Sequence, residues 1–332
     1  MSERILLGHG SGGRLMHRLI GELFARAFAM DELGDAARLP AIAGGLAFTT
    51  DSYVVSPRFF PGGNIGELAV FGTVNDLAVA GAQPLFLSAG FIIEEGLPLA
   101  ELTAVVEAMA AAARRAGVRI VTGDTKVVAK GQADGLFINT AGVGRLLAGL
   151  TIDPARIRPG DQVLVSGPIA SHGMAIMARR HGIAQEPPLL SDTRPLHALV
   201  AALAELGPAV RFLRDPTRGG LATTLKEAAM ASGCAIRLEE GALPVLPAAQ
   251  GVAELLGIDP LYAANEGILV AVVAAEAGER ALAVMAGRED APAPGRIGEV
   301  LAAPAGMVLL ATAIGGSRIV DMLPGEELPR IC

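Results

Sequence analysis

Acidic residues recur where apolar segments end. Asp51 closes the run Thr49-Thr50-Asp51-Ser52, and Asn75-Asp76 falls inside the apolar stretch Ile65 to Ala80. Asp124 follows the apolar run Val118 to Val121 in Gly123-Asp124-Thr125-Lys126, and Asp215 opens Asp215-Pro216-Thr217-Arg218-Gly219-Gly220. Taken singly, each is an ordinary cap or turn residue. Four converging carboxylates would make an oxygen-rich site for Mg²⁺, which takes hard ligands and keeps water and substrate phosphate in its shell.

Lysine is scarce: of 27 basic residues only Lys126, Lys130 and Lys226 are Lys, and the rest are Arg. An ammonium can lose its proton at an accessible pKa and a guanidinium cannot, which makes Lys126, at a strand end, a candidate base. Glu266, in Asn265-Glu266-Gly267 ahead of an apolar strand, can serve in acid–base work or as a plain turn residue. Gly8-His9-Gly10-Ser11-Gly12-Gly13-Arg14 precedes a helix expected over Leu15 to Met30, and its glycines let backbone N–H groups face an anion. The chain lacks G-x-x-x-x-G-K-[ST], and it has no G-x-G-x-x-G after a first strand, so a nucleotide site here is of another type. His9, His17, His172, His181 and His197 are scattered without zinc-binding spacing. Cys332 is the last residue, on a Pro-containing segment, and is expected to be an exposed, mobile thiol that carries or delivers a group. Cys234 is expected to fill a core. A terminal Cys is not a C-a-a-X box, so prenylation is excluded.

These groups need a scaffold. The 332 residues suggest about two domains at roughly 150 residues each. Apolar residues are 52% and charged residues 18% of the chain, which excludes disorder. A net charge of −7 with two Tyr and no Trp argues against nucleic acid as a partner. The uncharged runs Leu77 to Ile93 and Val300 to Ser317 are broken by Gly and Pro and lack flanking basic clusters, so no membrane span is expected. With no signal-like segment at the N-terminus, the cytoplasm is the expected location.

Strands are expected at Leu46 to Val55, Leu85 to Glu94, Val118 to Val128 and Leu136 to Leu147. Helices are expected at Ile65 to Ala80 and Leu99 to Ala116, the latter capped by Gly117. The Pro-Gly segment Thr151 to Asp161 is the expected boundary. Beyond it lie strands at Gln162 to Ser166, Cys234 to Leu238, Gly267 to Val273 and Val308 to Ala313. Helices there are expected near Gly173 to His181, Leu196 to Leu206 and Gly219 to Ala231. Asp321 to Cys332 is expected to be an extended arm, with a reach from Arg318 on the order of 50 Å.

Gly10-Ser11-Gly12-Gly13, Thr50-Asp51-Ser52, Val74-Asn75-Asp76-Leu77-Ala78, Gly123-Asp124-Thr125-Lys126, Asp215 to Gly220 and the terminal Pro329-Arg330-Ile331-Cys332 together resemble the HypE family of hydrogenase maturation factors. That family lies within the superfamily of aminoimidazole ribonucleotide synthetase, selenophosphate synthetase and thiamine-monophosphate kinase. The resemblance spans the whole chain, and the terminal Pro-Arg-Ile-Cys is specific to this family. It implies an α/β (α+β), PurM-like two-domain fold: residues 1–152 for ATP binding and dimerisation, 153–318 as a second α/β domain, and 319–332 as a flexible tail. The first domain's sheet would close a barrel across a homodimer. It further implies that Cys332 receives a carboxamide from the carbamoyltransferase HypF and that ATP-driven dehydration turns it into a thiocyanate. The cyanide is then passed through HypC and HypD to the iron of a [NiFe]-hydrogenase precursor. By motif position, Gly10, Gly12, Gly13, Asp51, Asn75, Asp76, Gly123, Asp124, Thr125, Asp215 and Thr217 would bind ATP. Asp51, Asp76, Asp124 and Asp215 would hold Mg²⁺, while Lys126 and Glu266 would act with Cys332. The alternatives are a small-molecule kinase of the thiamine-monophosphate kinase type, which needs no terminal Cys, and a non-catalytic thiol carrier.

Overall fold

The computed structural model describes residues 3–30, 36–323, 325 and 330–332. Residues 324 and 326–329 of the expected arm, Pro329 among them, lie outside the described residues. The first half contains helices α1 (Arg14–Leu19) and α2 (Arg26–Phe28), joined by a π-helical stretch, Ile20–Ala25. There follow strand β1 (Leu46–Tyr53), the short hairpin β2 (Phe59–Phe60) and β3 (Gly63–Asn64), helix α3 (Ile65–Val79) and strand β4 (Ala82–Glu94). Helix α4 (Leu99–Ala116) and strands β5 (Arg119–Val128) and β6 (Leu136–Leu146) complete it. The second half runs β7 (Gln162–Val165), α5 (Ser171–His181), α6 (His197–Leu203), β8 (Val210–Arg214), α7 (Gly220–Ser232) and β9 (Ala235–Glu239). It ends with α8 (Pro247–Leu256), β10 (Val270–Val273), α9 (Gly278–Met285), β11 (Gly295–Leu301), β12 (Val308–Ala311) and β13 (Ser317–Val320).

The first sheet has the order β1-β6-β4-β5, with β4 and β5 parallel and the other pairs antiparallel. The second has the order β13-β12-β9-β11-β7-β10-β8, and its strands β7 and β10 are the apolar, buried centre. Helix α3 joins the two halves. Asn64 caps it, its Oδ1 accepting from the backbone amides of Gly66 at 2.8 Å and Glu67 at 3.3 Å, while its side-chain Nδ2 donates to Glu67 Oε2 at 3.2 Å. Every residue of α3 except Glu67 and Asp76 is buried. A helix that is apolar all round must be surrounded, and here it packs on α4 and the first sheet as well as on α6 and β8.

The first sheet therefore has a covered face and an open one. Thr140 of β6 donates to the Ala69 carbonyl of α3 at 2.9 Å, which marks the covered face, and Asp51 is the register partner of Thr140. Side chains alternate along a strand, so Phe48, Thr50 and Ser52 face the other way. That open face carries Phe48 at 71% exposure and Ile92 at 46%.

Polar groups on α3 must be satisfied across the domain boundary. The Asn75 amide donates to the carbonyls of Arg194 at 3.0 Å and Glu266 at 3.3 Å, and its Oδ1 accepts from the Leu196 amide at 2.8 Å. Replacing Asn75 by Leu keeps the volume and leaves three buried backbone groups without partners. The variant should lose about 2–4 kcal/mol of stability in a urea titration; an unchanged midpoint would show that these groups find water.

Candidate active site

Asp51, Asp76 and Asp215 come together at the β1 side of the first sheet. Asp51 lies on β1, Asp76 near the end of α3 with Thr49 Oγ1 donating to its Oδ2 at 3.0 Å, and Asp215 in the turn that leaves β8. The turn is tight because Gly220 has φ +60°, and a Cβ there would stand 2.5 Å from the Leu261 carbonyl oxygen. Thr217 lies within this turn, its amide donating to the Asp215 carbonyl at 3.0 Å. Burial, followed by the Asp76 charge, pushes the Asp215 carboxyl up to about 7. Burial and Asp51 likewise raise Asp76 against the Thr49 hydrogen bond.

Glu266 completes the group from the second domain. Asn265 fixes its loop, accepting from the Ala170 amide at 2.7 Å and donating to the carbonyls of Pro216 at 2.9 Å and Ala263 at 3.1 Å. The carboxylate of Asp192 accepts from the Glu266 amide at 3.1 Å and the Gly267 amide at 3.1 Å. Gly267 is required by close approach, since a Cβ would stand 1.7 Å from the Asp192 carbonyl oxygen. With its backbone held, Glu266 presents a buried Oε1 that has no hydrogen-bond partner among the described residues. Burial, then Asp215 and Asp192, raise its carboxyl well above the usual range.

Cys332 lies in this group, which corrects the expectation of an exposed thiol. It is 7% exposed, with Ile331 at 3%, and Arg218 Nη1 approaches its Sγ at 3.8 Å. Burial, then the charge of Glu266, push the thiol up to about 12, against the pull of Arg218. The Cys332 carbonyl accepts from the Val54 amide at 3.0 Å, so the chain's last residue is laid along the segment that follows β1.

Asp124 and Lys126 are elsewhere. Asp51 aligns with Thr140, Thr140 with Ala89, and Ala89 with Gly123, which places β5 three strands away, about 14 Å at the usual strand spacing. The four-carboxylate expectation is thus corrected to three carboxylates within one chain. Asp124 instead takes the Lys126 Nζ at 2.9 Å, and both side chains are 62% exposed within one chain. Thr125 is buried beside them, its amide donating to Asp124 Oδ1 at 2.9 Å. Gly10 packs against this same strand, where a Cβ would stand 2.6 Å from the Val127 nitrogen, while Gly12 and Gly13 are exposed nearby. A cavity of about 660 Å³ opens at this edge, lined by Met16, Phe24, Phe91, Gly123, Asp124 and Thr125 among others. Asn75, expected at the nucleotide, has its amide committed to the domain boundary. Asp192, His172 and Arg180 were not anticipated, because nothing in their local sequence sets them apart.

Among the described residues no three His, Cys, Asp or Glu side chains are close enough to cage an ion. The donor set still fits Mg²⁺, because two carboxylates with water and phosphate oxygens suffice for it and because Asp51, Asp76 and Asp215 repel one another without a cation. No helix among the described residues is long and apolar enough to cross a membrane.

Two family models match the chain: the N-terminal domain of AIR synthase related proteins over residues 34–146 and the C-terminal domain over 158–309. The fold is thus that of a two-domain AIR synthase related protein. The chain is 52% identical to the carbamoyl dehydratase HypE of Cupriavidus necator over 335 aligned positions, covering 100% of this chain and 95% of the relative. A crystal structure of HypE in complex with ATP superposes with a TM-score of 0.94 at 49% identity, covering 98% of this chain and 99% of that one. HypE in a HypE–HypF complex superposes with a TM-score of 0.82 at 45% identity, covering 94% and 100% of the two chains. The chain belongs to the HypE family of carbamoyl dehydratases.

Asp215 gives a signed expectation. Folded, it keeps its proton to about pH 7, whereas an unfolded aspartate loses it near ~4. Between those values the folded state binds more protons, so stability falls as pH rises, and the penalty is complete above the folded value. Asp215→Asn, free of metal and nucleotide, should show a flatter pH profile and a gain of roughly 2–4 kcal/mol at pH 8. An unchanged slope of melting temperature between pH 5 and 8 would place the carboxylate in solvent.

Proposed function

We propose that the chain uses ATP to dehydrate a carboxamide carried on its own Cys332 to a thiocyanate, supplying cyanide for the iron of a [NiFe]-hydrogenase. The observation that carries this reading is the terminal cysteine buried beside Glu266, Arg218 and Asp51. A thiol carrier would leave its sulfur accessible, and a small-molecule kinase would keep this space for its substrate. The HypE–HypF complex supports HypF as the source of the carboxamide, and HypC–HypD as acceptor is the corresponding expectation.

The net change is R–S–C(=O)NH₂ plus ATP to R–S–C≡N, ADP and phosphate. The oxygen departs with the phosphate, and two protons leave nitrogen. Two of the three carboxylates of Asp51, Asp76 and Asp215, together with water and phosphate oxygens, would hold Mg²⁺, which would supply charge neutralisation for the phosphoryl oxygens. Glu266 is placed to take the nitrogen protons, since its unpartnered oxygen lies beside the sulfur-borne group and its raised pKa makes it a strong base once ionised. Arg218 orients the sulfur end. Burial of the site keeps water from competing for the phosphoryl group.

The remaining motifs stand at the opposite edge of the sheet, and a homodimer joins the halves. The open face of the first sheet, with Phe48 and Ile92, needs covering, and the same face of a second copy would supply the cover. In a barrel closed about an axis along its length, β5 of one copy lies beside β1 of the other. The cavity beside Gly123, Asp124 and Thr125 would then take the nucleotide, with Asp124 and Lys126 of one copy reaching the carboxylates of the other.

Intact mass after HypF and carbamoyl phosphate, then MgATP, should show one carbamoyl group gained and one water lost, both absent in Cys332→Ala. ATP consumption with no change at Cys332 would favour the kinase reading. Lys126→Ala and Cys332→Ala should each be inactive alone. Mixed and re-dimerised, they should recover about a quarter of the wild-type rate, since half the dimers would hold one intact site; no recovery would confine the site to one chain.

A further inference from the structure

The tail is held by its main chain as well as by the buried Ile331 and by the Arg330 side chain, whose Nε donates to the Val54 carbonyl at 3.0 Å. The Arg330 carbonyl accepts from the Ser56 amide at 3.3 Å and from Arg180 Nη2, and the Ile331 carbonyl accepts from His172 Nε2 at 2.8 Å. The Cys332 carbonyl is taken by Val54, as described above. All three carbonyls are thus engaged, whereas the sulfur has a long contact with Arg218. Whatever is attached to the sulfur, the donors meet the same backbone.

His172 is wholly buried, and its ring stands edge-on to Phe60 with centroids 5.4 Å apart. A carbonyl only accepts, so Nε2 carries the proton and Nδ1 accepts from Ser191 Oγ at 2.8 Å. Ser191 Oγ in turn accepts from the Thr193 amide at 3.1 Å, and the Ser191 amide donates to the Pro61 carbonyl at 2.8 Å. This relay fixes the tautomer and the ring, and it ties His172 to both domains. Arg180 is fixed as well, donating from Nε to the Ser56 carbonyl at 2.6 Å.

Beside these contacts Arg330, at φ +52°, brings a second guanidinium near Arg180. Its charge is answered by Asp134 at 2.7 Å, on the exposed side, and its guanidinium lies over the Phe137 ring.

We propose that His172 and Arg180 are positioning residues that form a latch on the carbonyls of Ile331 and Arg330, docking the tail regardless of what Cys332 carries. This rests on the reading of Cys332 as the carrier. A weakened latch acts with opposite sign on the two halves of the cycle: loading by HypF uses the undocked tail and is favoured, while dehydration uses the docked tail and is slowed.

The test uses the full-length protein with His172→Phe, which keeps a buried ring without the donor, His172→Gln, whose amide N–H can replace Nε2, and Arg180→Met, which keeps a long side chain without any donor. The first readout is the rate of Cys332 alkylation by iodoacetamide, located by peptide mass, which requires no carbamoyl chemistry. His172→Phe and Arg180→Met should alkylate about tenfold faster, the equivalent of one lost hydrogen bond. They should accept carbamoyl from HypF at least as fast as wild type and dehydrate it about tenfold more slowly, with His172→Gln restored toward wild type. Unchanged alkylation, or a parallel loss of loading and dehydration in both donor-deleting variants, overturns the latch. Faster alkylation with no carbamoyl chemistry in any chain, wild type included, leaves the latch standing and overturns the dehydratase reading instead.

Discussion

Asn75 has its side-chain amide buried in the middle of an apolar helix, and that amide is satisfied only across the domain boundary. The helix is buried because the first sheet and α4 cover one side of it and α6 and β8 the other. A polar side chain inside such a helix must be matched at each donor and acceptor, since an unpaired group there costs more than the hydrogen bond it lacks. The matches are the carbonyls of Arg194 and Glu266 and the amide of Leu196. One residue therefore fixes the two domains against each other and places the backbone of the site's glutamate.

The rest of the site follows from that registration. Asp76, next to Asn75, faces β1 and meets Asp51, while β8 delivers Asp215 beside them. The segment 191–196 works in three directions: Asp192 steadies Glu266, Ser191 steadies His172, and the backbone of Arg194 and Leu196 receives Asn75. The result is a set of acids crowded in a poorly solvated space. Taken alone this destabilises the fold, and it suits a site whose ligands bring positive charge.

Much of the scaffold was legible in the sequence. The amphipathic spacing of Leu99 to Ala116 with Gly117 beyond it gave α4 its observed bounds, because a stripe and a left-handed cap are local signals. The strands β1, β4, β5 and β6 fell within a few residues of expectation for the same reason. Strands β8 and β11 and helices α8 and α9 went unread, being short, with types set by neighbours distant in sequence. Asp51, Asp76 and Asp215 lie within electrostatic reach of one another, whereas Asp124 and Lys126 lie three strands off. The motifs record chain order, and only strand order decides which loops meet. The tail misled for a related reason: its Pro and Glu residues suggested a solvated arm, yet the last residues are Arg-Ile-Cys, and Ile331 has an apolar core to enter.

The seating of Cys332 in its own chain has a kinetic meaning. A reactive group tethered to its catalyst is met at an effective concentration set by the tether and its docking contacts, independent of how much protein the cell holds. For such a group saturation has no meaning, and each chain converts one group per visit of the tail. The dehydration step is then first order in loaded dimer and insensitive to dilution for as long as the dimer persists.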